Sequence, residues 1–179
     1  MTMIATKLLP ELWLLAIVFA LFVASVSGHK RSVLSWLPWA AMLGVVIAAL
    51  SLGVRGEILF GAYRLDGLSQ FFKLAIAAGF AIVTGIAAGK PDSDDFSPDY
   101  FMLLGLSAWG LLLLASCVEL ITLFLALELS SYSLYALIPI RGKDRRAAEA
   151  GIKYILFGAA VTAVALFGLS YIMAAKHTT

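Results

Sequence analysis

The sequence predicts an all-α integral membrane protein of about six transmembrane helices. Three observations carry this reading. Hydrophobic residues make up 62% of the chain and charged residues only 13%, against about 45–50% and about 25% in average globular chains. Mean hydropathy is +0.98. The apolar residues also come in continuous runs of about 20, enough to cross a bilayer as a helix. They lack the sustained alternation of a membrane barrel. In hydrocarbon a helix satisfies its own backbone within one segment.

The first span runs from Leu9 to Ser27. Pro10 and Glu11 lead into it and further spans follow, so it reads as a retained helix rather than a signal peptide. The second runs from Val33 to Val54 and the third from Leu68 to Ala88. The fourth covers Tyr100 to Val118, the fifth Leu120 to Ile140 and the sixth Ala148 to Ala174. Their connections are polar: "GHKR", then "RGEILFGAYRLD", "GKPDSDDFSPDY" and "RGKDRRAAEAG". The second of these is half apolar and reads either as an interfacial segment or as a short hairpin. Little more than Glu119 separates the fourth and fifth spans, which implies a tight turn.

Loop lysines and arginines set the orientation. With the N-terminus outside, Lys30, Arg31, Lys90, Arg141, Lys143, Arg145 and Arg146 face inside. Lys7, Arg55, Arg64 and Lys176 then face outside. The imbalance predicts both termini on the outer side of the membrane.

Some charges fall inside spans. An ionisable group at a helix centre costs on the order of 3 kcal/mol on insertion scales, so it usually faces protein or water and serves function. Glu128 is the clearest case. Ser131, Tyr132 and Tyr135 follow at helical spacing and form a polar face beside it. The bland alternative is a protonated glutamic acid that only joins two helices. Lys153 enters the sixth span with Glu149 four residues earlier, the favourable order for an ion pair; snorkelling is the competing reading. Lys73, in "QFFKLA", reads as a snorkelling lysine. Glu11, Asp66 and Glu119 read as acids that stabilise helix starts.

A net charge of +2 gives no argument for nucleic acid. The single cysteine, Cys117, rules out an internal disulfide and reads as packing. His29 and His177 lie in a loop and at the C-terminus. No phosphate-binding glycine loop or metal-ligand cluster is present, so the chemistry on offer is that of protons and ions.

The residues also carry a family likeness. "LITLFLALELSSYSLYAL" followed by "EAGIKYILFGAAVTAVALFGLSYI" resembles the antiporter-like subunits of respiratory complex I, the NADH–quinone oxidoreductase. The nearest pattern is that of chain N, the mitochondrial subunit 2 type. Its E-L-x-S-x-x-L-Y-x-L motif reads here as Glu128, Leu129, Ser131, Leu134, Tyr135 and Leu137. Its E-A-x-x-K-Y motif reads as Glu149, Ala150, Lys153 and Tyr154. "LPEL" and "LDGLSQFFK" are similar to the same chain. Leu127 stands where the sister subunits usually carry tryptophan.

The resemblance implies that Glu128 handles protons, with Lys153 and Glu149 tuning their entry. It implies residues 1–99 as three N-terminal helices and 100–179 as the start of the first antiporter-like repeat. The family fold has roughly fourteen helices around inverted repeats, so a lysine partner on a seventh helix would come after Thr179 or from a further chain. The implied partners are the lipid bilayer and other membrane subunits, in a bacterial cytoplasmic membrane. NADH, flavin, iron–sulfur clusters and quinone are expected elsewhere in the assembly, with no cofactor or metal in this chain. Two other readings stand beside this one: a structural or assembly subunit without a proton path, and a cation–proton antiporter relative.

Overall fold

The computed structural model describes residues 6–27, 30–88, 97–140 and 145–176. Six α-helices dominate them: α1 (Leu9–Val26), α2 (Lys30–Leu50), α3 (Gly67–Ala88), α4 (Pro98–Leu114), α5 (Leu120–Ile140) and α6 (Arg145–Lys176). They follow the six expected spans, with shifts of a few residues at the ends. Five helices are long and apolar enough to cross a membrane. The remaining one, α4, has 17 residues and rises about 25 Å at 1.5 Å per residue. The chain is an all-α integral membrane protein.

Local chemistry explains the helix starts. Asp66 caps α3 by accepting the Ser69 amide at 2.7 Å, while its own amide donates to Ser69 Oγ at 2.9 Å. This reciprocal arrangement satisfies two end donors at once. Ser97 accepts the Tyr100 amide and Pro98 fills the first turn of α4, where its missing N–H costs nothing. Glu119 precedes α5 and accepts from Thr122 Oγ1 at 2.8 Å.

Between α2 and α3 the half-apolar connection forms a hairpin. Strand β1 (Gly56–Ile58) pairs antiparallel with β2 (Tyr63–Leu65), in the register Gly56–Leu65 and Ile58–Tyr63. The hairpin is stitched to the α4–α5 turn: the Arg64 amide donates to the Ser116 carbonyl at 2.8 Å and the Val118 amide to that of Ala62 at 2.9 Å.

The core runs through α1 to α4. Leu14 and Leu21 of α1, Leu37 and Ala41 of α2, Phe80 of α3, and Phe101 and Leu112 of α4 are buried in one cluster. Helix α5 packs on α4, and α6 packs chiefly on α5. The outward faces stay apolar, as with Phe19, Trp39 and Phe157. Lipid accepts such a surface, whereas water does not.

Two sequence expectations are corrected at one end of this bundle. Lys73 does not snorkel. It is fully buried, at 0% exposure, and its Nζ lies 2.5 Å from Glu11 Oε1. Glu11 is buried too, paired with α3 and the hairpin rather than serving only its own first turn. Several of the loop cations behind the orientation argument, Lys90, Arg141 and Lys143, lie outside the described residues, as do His29 and His177.

Candidate functional site

Helix α5 holds Glu128 eight residues past its start, about 12 Å along the axis. Its carboxylate is buried at 6% exposure. Thr162 of α6 donates to Glu128 Oε1 at 2.9 Å. Nothing in the sequence pointed to Thr162, which stands 34 residues away. Only the packing of α6 on α5 brings the two together. Glu128 Oε2 has no hydrogen-bond partner among the described residues.

The expected polar face divides in three. Tyr132 is exposed and sets its ring edge-on to Tyr135, at 5.7 Å between centroids. Ser131 turns back on its own helix and donates to the Leu127 carbonyl at 3.0 Å, the common habit of a mid-helix serine. Tyr135 faces α6, with its ring edge-on to Tyr154 at 5.1 Å between centroids. Its hydroxyl fills the space left by the missing side chain of Gly158.

Glu128, Ser131, Tyr135, Tyr154, Gly158 and Thr162 line a groove of about 470 Å³ between α5 and α6. Lys153 lies one residue before Tyr154, and its ammonium meets Glu149 at 2.6 Å. Both side chains are exposed, at 65% and 59%. A pair this exposed contributes little stability, about 0.3–0.5 kcal/mol for this helical spacing. The exposed ion pair thus lies near the start of α6, the edge-on Tyr135–Tyr154 pair beside it in sequence, and the buried carboxylate at the middle of α5.

A second charged cluster occupies the opposite end of the bundle. Glu11 Oε1 accepts from Tyr63 at 2.5 Å and contacts the Lys73 ammonium at the same distance. The ammonium also lies 4.9 Å from the centre of the Tyr63 ring. Burial, the Glu11 charge and the bond to Glu11 all push the Tyr63 phenol above its ordinary range. Here sequence reasoning missed a site, although "LPEL" and "LDGLSQFFK" contain its acid and its base. The available signal was topological: α1 and α3 start on the same side of a bundle of alternating helices. Among the described residues no cluster of metal-ligating side chains is present.

Known proteins match this chain in three ways. Residues 115–179 match the family described as "NADH:quinone oxidoreductase/Mrp antiporter, TM". A protein of Solidesulfovibrio magneticus, named NADH-quinone oxidoreductase subunit N 2, is 78% identical over 97% of this chain and 37% of its own length. A protein of the same name from Opitutus terrae is 41% identical over 96% of this chain and 37% of its own. This sequence resembles the N-terminal part of subunit N. A chain of respiratory complex I from Thermus thermophilus, solved with bound aureothin, has the same fold over 94% of this chain and 37% of its own, with a TM-score of 0.75 and 27% identity. The chain thus spans a little over a third of these subunit N relatives. Glu128, Thr162 and the Glu149–Lys153 pair all fall within the residues matched by the antiporter family.

Proposed function

We propose that this chain forms the proton-handling start of a membrane-arm subunit in a proton-pumping NADH–quinone oxidoreductase. The observation that carries the reading is Glu128, a buried mid-helix carboxylate on the wall of the groove between α5 and α6. A buried acid with a bare oxygen can take a proton and return it, and a charge placed there for stability alone is costly. The likeness to subunit N supplies the assembly in which such an acid would work.

In this reading Glu149 and Lys153 gather protons at the inner face. Tyr154 and Tyr135 stand between them and Glu128, and Thr162 orients the carboxylate. Residues 1–99 act as three supporting helices and 100–179 open the first antiporter-like repeat. Both termini face the outer side of a bacterial cytoplasmic membrane. Other membrane subunits, and further sequence or a further chain, complete the path. Electron transfer, with its NADH, flavin, iron–sulfur clusters and quinone, takes place elsewhere in the assembly.

The test is Glu128→Gln in the assembled complex, with proton pumping and electron transfer measured together in sealed vesicles. Pumping per electron is expected to fall while assembly persists. Full pumping in an assembled variant would overturn the proposal and leave a structural role for the chain.

A further inference from the structure

We propose that Glu11 and Lys73, with Tyr63, form a second proton-binding site, in which Glu11 Oε2 takes one proton from water and gives it back. Both charged groups are almost wholly shielded, at 3% and 0% exposure. Desolvating an ion costs several kcal/mol, and a buried pair is often no more stable than apolar side chains of the same volume. Stability alone therefore gives no reason to keep this pair inside a membrane bundle.

The two oxygens of Glu11 have different surroundings. Oε1 accepts from Tyr63 and is paired by charge with the Lys73 ammonium, which itself makes no hydrogen bond among the described residues. Oε2 is buried and has no partner among the described residues. A carboxylate built only to hold a lysine and a tyrosine would have both oxygens satisfied. The bare Oε2 is where an arriving proton binds.

The step balances simply. Glu11 carboxylate and hydronium give the carboxylic acid and water, with an O–H bond formed on Oε2. Lys73 stays an ammonium, and the pair goes from neutral to a net charge of +1. Neighbouring groups shape that cost. Asp66, at the start of α3, and Cys117, in the α4–α5 turn, are the other titratable groups facing Lys73. Hydrogen bonds from Ser69 hold the Asp66 carboxyl below its ordinary range, so it remains an anion that offsets the added charge. Just after α2, neutral Ser51 donates to Gln70 at 3.0 Å.

The site has a route to the rest of the chain. Protonation weakens the hold of Glu11 on Tyr63 and Lys73. Tyr63 belongs to β2, and β2 is bonded to the turn that starts α5. Hydrogen bonds thus connect the strand whose Tyr63 holds Glu11 to the turn before the helix that carries Glu128. The proposal adds to the proton-carrying reading but is read out without it.

The experiment is an infrared titration of the membrane-embedded complex containing the full chain. A carboxylic-acid carbonyl band should grow as pH falls and be absent from Glu11→Gln. If that variant does not assemble, Glu11→Gln combined with Lys73→Met removes both charges together and takes its place. Tyr63→Phe deletes one hydroxyl from the hairpin and should shift the band. Identical band sets in the wild type and Glu11→Gln or its double, or an unmoved band in Tyr63→Phe, would overturn the proposal. The band is measured without turnover, so normal pumping by Glu128→Gln would leave this result standing.

Discussion

Thr162 Oγ1 donates to Glu128 Oε1 at 2.9 Å and so ties α6 to the buried carboxylate of α5. Among the described residues it is the one hydroxyl on α6 bonded to that acid. Ser131, on the same helix as Glu128, spends its proton on a backbone carbonyl instead.

Thr162→Val keeps the shape of the side chain and removes the donor. A single hydrogen bond is worth about 1 kcal/mol net, more when its acceptor is charged. That energy corresponds to roughly a fivefold change in an equilibrium. Thr162→Val is expected to slow proton flux several-fold in sealed vesicles, and Thr162→Ser to retain it. Equal flux in the threonine and valine forms would show that the bond does not matter to Glu128.

Gly110 allows α4 and α5 to touch. A Cβ there would sit 2.7 Å from the Ser130 amide nitrogen and 2.9 Å from the Ala126 carbonyl oxygen. Backbone cannot swing away as a side chain can, so Gly110→Ala must separate the helices and strain the 2.9 Å Ser107–Ser130 bond. Overpacking of this kind costs about 1–3 kcal/mol, visible as a lower unfolding temperature of the purified complex. Gly168 is the control: a Cβ there meets nothing within 4 Å. Gly168→Ala should be neutral or slightly stabilising, since alanine favours helix by about 1 kcal/mol over glycine.

The contrast between these glycines shows what the sequence can and cannot convey. Long apolar runs announce their helices because lipid leaves no other backbone solution, and Glu128 stands out because nothing near it in sequence is charged. The Asp66–Ser69 cap is legible for the same local reason. Partners across the bundle are not. Glu11 and Tyr63 are 52 positions apart, and Glu128 and Thr162 are 34. Helix rotation and depth decide such meetings, and one sequence encodes neither openly. Glu11 and Lys73 each sit near a helix start, where capping and snorkelling are the ordinary explanations. Only their pairing shows a second buried charge site.

Cys117 reports on that end of the bundle through its reactivity. Its thiol donates to the Leu113 carbonyl at 3.1 Å, in the turn bridged to Tyr63. Burial pushes the thiol above its usual range, the Glu119 charge adds to this, and Lys73 opposes it. Only the thiolate reacts with an alkylating agent. A raised value lowers the thiolate fraction at every pH below it, so the rate curve moves to higher pH. Alkylation of Cys117, followed by mass spectrometry of its peptide, should be slower than that of an exposed cysteine at neutral pH and accelerate only in more alkaline buffer. Glu119→Gln removes one of the raising charges while keeping an acceptor for Thr122, so the curve should move part of the way back. A wild-type curve matching that of free cysteine would mean that the turn is open to water, and the tight seat of the hairpin against α4 and α5 would have to be abandoned.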